Sequence, residues 1–170
     1  MKQFILILFT TLVTMCSCLG KVEQMTRDTD VVKVGQKLPQ FSVKTSNGMV
    51  VSNTTLQGKP SVIVFFNTLC GDCQRELPIV QQVYNQYANR AYFICISRAQ
   101  GTDDVAAYWQ SKNFNLPYSA QTDKFIYEKF ATGVIPRIYV ADASGTICRY
   151  FVERMTEKDL HSVLDSLINQ

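Results

Sequence analysis

Ser61-Val62-Ile63-Val64-Phe65-Phe66-Asn67-Thr68-Leu69-Cys70-Gly71-Asp72-Cys73-Gln74-Arg75-Glu76-Leu77-Pro78 carries three signals in a row. Ser61 to Asn67 is an unbroken β-branched and aromatic run, which predicts a strand buried on both faces and hence a central parallel strand. Leu77, Val80, Val83, Tyr84 and Tyr87 then recur at helical spacing as far as Asn89, with Pro78 expected to kink the helix after its first turn. The Cys70/Cys73 pair therefore falls at a strand-to-helix junction.

Downstream, Tyr92 to Ser97 reads as a second buried strand, Asp103 to Lys112 as a helix capped by an Asp, and Lys124 to Phe130 as a shorter helix. Strand, helix and strand with short links make a βαβ unit. Arg137 to Ala141 and Thr146 to Phe151 flank Asp142-Ala143-Ser144-Gly145 and predict a hairpin. Thr156 to Ile168 closes the chain as a helix with Leu160, Val163, Leu164 and Leu167 on one stripe. Upstream, Phe41 to Lys44 and Met49 to Ser52 surround Thr45-Ser46-Asn47-Gly48, and Asn-Gly is a strong hairpin signal because both residues accept positive φ. No internal repeat and no low-complexity segment is present.

The first residues read as targeting. Lys2 precedes the apolar stretch Phe4 to Val13, shorter than the ~20 residues that span a bilayer. It runs into Met15-Cys16-Ser17-Cys18-Leu19-Gly20, which resembles a bacterial lipoprotein signal, with Cys18 as the lipidated residue and Cys16 as the competing candidate. An ordinary cleaved signal or an uncleaved anchor fits the same residues. The expected organisation is a signal peptide over 1–18, a polar tether over 19–33 and one folded domain over 34–170, with export to a bacterial periplasm or cell envelope.

A net charge of +3 spread over 170 residues, with no basic run interleaved with aromatics, argues against nucleic-acid binding. The single histidine, His161, leaves little material for a His-based metal site or a Ser/His or Cys/His pair. Cysteine carries the chemistry. At the start of a helix, unpaired N–H groups and the helix dipole favour a thiolate on Cys70, while Cys73 waits to resolve a mixed disulfide. Zinc uses the same spacing but needs two further ligands, and only Cys95, Cys148 and His161 remain in the domain, so no metal is expected. A structural disulfide is the other reading, permitted by export. Cys95 and Cys148 lie in apolar strand patterns and read as buried small hydrophobes; Tyr118, Tyr127, Tyr139 and Phe151 read as packing. No glycine-rich phosphate loop or dinucleotide fingerprint appears, so no cofactor is expected and electrons come from another protein's dithiol.

Val34-Gly35-Gln36-Lys37-Leu38-Pro39-Gln40-Phe41, then Leu56-Gln57-Gly58-Lys59-Pro60, then Phe65 to Pro78 together resemble the TlpA/ResA branch of thioredoxin-like proteins, a likeness running from Val34 to the end. The resemblance implies an α/β, thioredoxin-like fold: a central mixed β-sheet flanked by helices, with an amino-terminal β-hairpin and a helical insertion at Asp103 to Pro117. It implies an exported, membrane-tethered thiol-disulfide oxidoreductase that reduces partner proteins, apocytochrome c among them; a monomer served by an upstream membrane electron donor is expected. Glu76 matches a glutamate that tunes the proton affinity of the buried cysteine; the alternative is an exposed first-turn acid. Ile135-Pro136 matches the cis-proline loop opposite the dithiol, where the Ile135 backbone pairs with a substrate strand. Arg137, where the family often has Thr, is expected either to add charge to that docking surface or to be an exposed strand-edge residue.

Two departures bear on the dithiol. Leu69 stands where the family usually has Trp, removing an amphipathic platform beside the sulfur. Asp72 stands where Pro is common; its charge is expected to disfavour the Cys70 thiolate and make the pair more reducing. Peroxiredoxins share the fold, but they need Thr or Ser three residues before the reactive cysteine, where this chain has Asn67, and a proline upstream. A non-catalytic peptide-binding module is a further alternative.

Overall fold

The computed structural model describes residues 29–169. The signal peptide expected over 1–18, with Cys16 and Cys18, lies outside the described residues. The elements in chain order are β1 (Ser42–Lys44), β2 (Val50–Ser52), β3 (Ser61–Phe66), α1 (Gly71–Tyr87), β4 (Tyr92–Ser97), α2 (Thr102–Lys112), β5 (Tyr118–Ser119), α3 (Phe125–Glu128), β6 (Arg137–Ala141), β7 (Ile147–Val152) and α4 (Glu157–Ile168). A five-stranded sheet runs β5-β4-β3-β6-β7. β3 is parallel to β4 and antiparallel to β6, β4 is parallel to β5, and β6 and β7 form an antiparallel hairpin.

Every residue of β3 is buried, as an unbroken apolar run demands of a middle strand. Successive side chains leave on opposite faces. Phe65 meets Tyr127 and Phe130, with ring centroids 5.3 and 4.8 Å away, while Phe66 meets Trp109 of α2 at 4.9 Å. Those two aromatic clusters fix the helices to the sheet whose carboxyl edge carries the cysteines. α4 is started by a capping box, in which the Thr156 hydroxyl accepts from Asp159 N–H and the Asp159 carboxylate accepts from Thr156 N–H. Its buried Leu160 and Leu164 face inward. The Tyr87 hydroxyl donates to Asp165 at 2.6 Å, tying α1 to α4.

Several local expectations are corrected. α2 begins one residue earlier than expected and is capped by Gly101 without a side-chain bond; Asp103 and Asp104 occupy its first turn, where negative charge suits the dipole. The β1–β2 turn is closed by Gly48 N–H to Thr45 O, and Gly48 alone has positive φ (+87°), so Asn47 is not strained there. β5 is an element the sequence pattern does not predict. Its two residues are held by pairing with Cys95 and Ile96, and its edge receives the amino-terminal hairpin through Ser46 N–H to Tyr118 O and Ser119 Oγ–H to Lys44 O.

The expected tether over 19–33 overreaches at its carboxyl end, because the chain from Thr29 is already part of the fold. Asp30 bridges Ala131, Val31 and Val32 N–H groups both donate to Phe130 O, and Val32 is buried. The polarity that suggests a linker has a structural cause: Asp30 is a buried counter-charge.

Candidate active site

Cys70 is the N-cap of α1, in extended conformation (φ −83°, ψ 118°), and its Sγ accepts the Cys73 N–H at 3.3 Å. One of the unpaired donors at the helix start therefore points at the first sulfur. Across the cleft the Cys70 thiol donates to Ile135 O at 3.6 Å. Cys70 is half-buried and Cys73 is fully buried beneath it, both as free thiols. Burial, reinforced by the Cys70 contact and the Asp72 charge and opposed by a backbone contact at Asn67, pushes the Cys73 thiol well above its ordinary range. The two cysteines are thus chemically unequal, one half-buried and offered a donor, the other fully buried and holding its proton.

The loop that presents Cys70 is fixed by polar contacts. Asn67 Oδ1 accepts Leu69 N–H at 2.8 Å and Asn67 O accepts Cys70 N–H at 3.1 Å. Thr68 is buried; its N–H donates to Gln100 Oε1 at 2.8 Å, its hydroxyl accepts from Gln100 Nε2, and its carbonyl accepts from Gln74 Nε2 at 2.7 Å. Gln100, also buried, is itself held through its carbonyl by the Ser97 hydroxyl at 2.8 Å. Thr68, Gln74 and Gln100 carry no periodic signal in the sequence, two as polar loop residues and Gln74 as a polar position in the first turn of α1.

Asp72 pairs with Arg75 at 2.8 Å, both side chains nearly half exposed, so solvent and the guanidinium moderate its effect on the sulfurs. Glu76 is only 2% exposed, which rules out the exposed first-turn alternative. Its carboxylate accepts from Arg75 Nε at 3.0 Å and from the Met155 N–H at 3.1 Å, so its visible task is to join α1 to the start of α4. Arg75 completes that junction by donating to Glu153 O at 3.1 Å.

The Ile135-Pro136 bond is cis and lies opposite the dithiol, as the resemblance implied. An open cleft of about 480 Å³ runs between Leu69, Cys70, Arg98, Val134, Ile135 and Glu153. Leu69, the departure noted beside the first cysteine, is 85% exposed at its rim and offers an apolar side chain there. Both expectations for Arg137 fail. It is fully buried, paired with Asp30, and contributes no charge to the docking surface and no exposed edge. Cys95 is fully buried and burial raises its proton affinity; Cys148, expected to be buried, is only half so, with its thiol directed at Thr146 O. Among the described residues no group of three or more His, Cys, Asp or Glu side chains is placed to hold a metal ion. None of their helices is long and apolar enough to cross a membrane.

A thioredoxin-like sheet whose first long helix begins at a C-x-x-C pair, with a cis-proline loop facing the outer sulfur, defines a thiol-disulfide oxidoreductase. The chain belongs to the AhpC/TSA family, whose model matches residues 34–150. It is 26% identical over 137 residues to the thioredoxin-like protein YneN of Bacillus subtilis, covering 79% of this chain and 80% of that one. It is 23% identical over 142 residues to the thiol-disulfide oxidoreductase ResA of Bacillus cereus, covering 82% of each. A crystal structure of a thiol:disulfide interchange protein of the thioredoxin family from Chlorobium tepidum superposes with a TM-score of 0.68 at 26% identity, over 81% of this chain and 98% of that one.

Proposed function

We propose that the protein reduces disulfides of partner proteins outside the cytoplasm through a Cys70 mixed disulfide. The Cys70 thiolate attacks one sulfur of the partner disulfide, forming the Cys70–partner bond and expelling the partner's other sulfur as a thiolate, which takes up a proton. Cys73 then gives up its proton and attacks Cys70 Sγ, closing the Cys70–Cys73 disulfide and releasing the second partner thiol. Two electrons and two protons pass to the partner, and an upstream dithiol donor restores Cys70 and Cys73. The observation that carries this is the asymmetry of the pair: Cys70 at the helix N-cap, accepting the Cys73 N–H beside the Ile135 carbonyl and open to the cleft, with Cys73 buried below it.

Ile135 and Pro136 are the docking strand in this reading, and Asp72 and Glu76 modulate the first and second cysteine. Partner proteins carrying a disulfide, apocytochrome c among them, an upstream membrane donor, action as a monomer, and anchoring through lipid on Cys18 (or Cys16) all rest on the sequence resemblance and on the amino-terminal pattern.

Reduction of insulin disulfides fed by dithiothreitol tests the activity, with Cys70→Ser abolishing the protein-dependent rate. Equal rates for wild type and Cys70→Ser would reject the reading in favour of a peptide-binding module. The peroxidase alternative draws no support from the site, where the Asn67 side chain is spent on the Leu69 N–H. Stoichiometric consumption of hydrogen peroxide by the reduced protein, without a thiol partner, would revive it.

A further inference from the structure

The docking loop is held from behind by the amino-terminal segment. Thr29 O accepts the Thr132 N–H at 2.9 Å, and Asp30 bridges Ala131. Arg137 reaches back from the first position of β6 and is fully buried; its Nη1 pairs with Asp30, its Nη2 donates to Thr29 Oγ1 at 2.9 Å, and its Nε donates to Val134 O at 3.1 Å. Val134 O also accepts the Tyr127 hydroxyl at 3.0 Å, and Asp30 Oδ2 accepts the Tyr150 hydroxyl at 2.6 Å. Gly133 lets the two segments close: a Cβ placed there would lie 2.6 Å from Thr29. Its carbonyl is taken by Arg98 from the cleft side. Three consecutive loop residues, Thr132, Gly133 and Val134, thus have their backbone position set, and the next residue is Ile135, whose carbonyl meets Cys70.

A buried ion pair of this kind contributes little to stability compared with well-packed apolar residues, so what the Arg137 bonds to Asp30, Thr29 and Val134 O offer is a fixed placement of these groups. Lysine would not replace Arg137, because one ammonium lacks the planar fork needed to reach Asp30, Thr29 and Val134 O together.

We propose that Arg137 and Asp30 are positioning residues for substrate docking: through them residues 29–30 set the height of the Val134–Ile135 backbone beside Cys70. The pair thereby governs affinity for extended peptide disulfides while leaving the sulfur chemistry unchanged. The inference rests on the disulfide-reductase reading above, and it differs from a purely structural role in what it moves. A small disulfide that reaches Cys70 without lying along the loop should be indifferent to the pair. A cystine-containing peptide should not.

The test compares Asp30→Asn, Arg137→Met, Arg137→Lys and the isosteric Thr29→Val with wild type on two substrates, hydroxyethyl disulfide and a disulfide-bonded peptide, together with the midpoint potential. For Asp30→Asn and both Arg137 variants, KM for the peptide should rise about tenfold at little-changed kcat, with small-disulfide rates and potential held. Thr29→Val removes one acceptor without unpairing a charge, so it stays folded if the others do not, and should raise the peptide KM about threefold alone. Parallel losses on both substrates, a shifted potential, or a peptide KM unaltered in every folded variant would overturn the inference. Wild-type protein inert toward both disulfides would instead overturn the reductase reading, and this inference with it.

Discussion

Replacing Gln100 by Leu tests whether the loop that presents Cys70 is held by polar contacts rather than by chain geometry alone. The Gln100 side chain makes two bonds to a buried residue: its Oε1 accepts the Thr68 N–H at 2.8 Å and its Nε2 donates to the Thr68 hydroxyl. Leu preserves bulk, so the cavity contribution is small, but the Thr68 N–H and hydroxyl lose their partner in a site only 5% exposed. A buried polar group left unpaired costs about 1–3 kcal/mol, and the hydroxyl has freedom to turn toward another acceptor, so the expected loss is about 2–4 kcal/mol. Urea unfolding should show a lower midpoint at unchanged slope. Adding Thr68→Val to Gln100→Leu removes the orphaned hydroxyl, and the double-mutant cycle should report a coupling of about 1 kcal/mol, the remainder belonging to the Thr68 N–H. Alkylation of Cys70 should change in rate as the loop loosens. A Gln100→Leu cost below about 0.5 kcal/mol, the range of an ordinary surface substitution, would mean that these contacts do not hold the loop.

Asp72→Asn should raise the midpoint potential, because the Asp72 charge opposes thiolate formation in the reduced pair; pairing with Arg75 limits the rise to about 20 mV, and an unchanged or lower potential in a glutathione titration would contradict it. Stability should fall with rising pH from about pH 9, where an ordinary thiol ionises: unfolded Cys73 and Cys95 release protons that the folded chain retains. Each contributes a slope approaching about 1.4 kcal/mol per pH unit once its unfolded form is ionised, so Cys95→Ala should lessen the drop between pH 9 and 10 under reducing conditions; a flat unfolding midpoint from pH 8 to 10 would refute the assignment. Glu76→Ala should destabilise by about 1–3 kcal/mol through loss of the acceptor for the buried Met155 N–H, and Glu76→Gln should recover most of it. Equal losses in the two variants, measured by urea unfolding, would show that the charge and not the acceptor matters.

Periodicity makes much of the fold legible in the amino-acid sequence. β3 is an unbroken apolar run and α1 repeats at helical spacing over 17 residues, so both elements and the place of the cysteines between them follow from local sequence. β5 is not legible in this way, because two residues carry no period and become a strand only through pairing with β4. The site divides along the same line. Cys70, Cys73, Ile135 and Pro136 are brought together as the resemblance implied. Asp30 and Arg137 mislead because charge in a sequence suggests exposure, whereas these two charges neutralise each other 107 positions apart in the chain. Gln100 is invisible for a related reason, since its value lies wholly in one buried partner, Thr68, 32 positions away.

Trapping separates the roles of the two cysteines. Cys73→Ser leaves Cys70 at the helix N-cap and removes the sulfur that resolves the mixed disulfide, so on exposure to a disulfide-bonded protein it should accumulate a covalent complex that dithiothreitol dissolves. Peptide mapping should place the bond on Cys70. A complex linked through Cys95 or Cys148, or no complex with Cys73→Ser where wild type turns the same substrate over, would contradict the assignment of Cys70 as nucleophile and Cys73 as resolver.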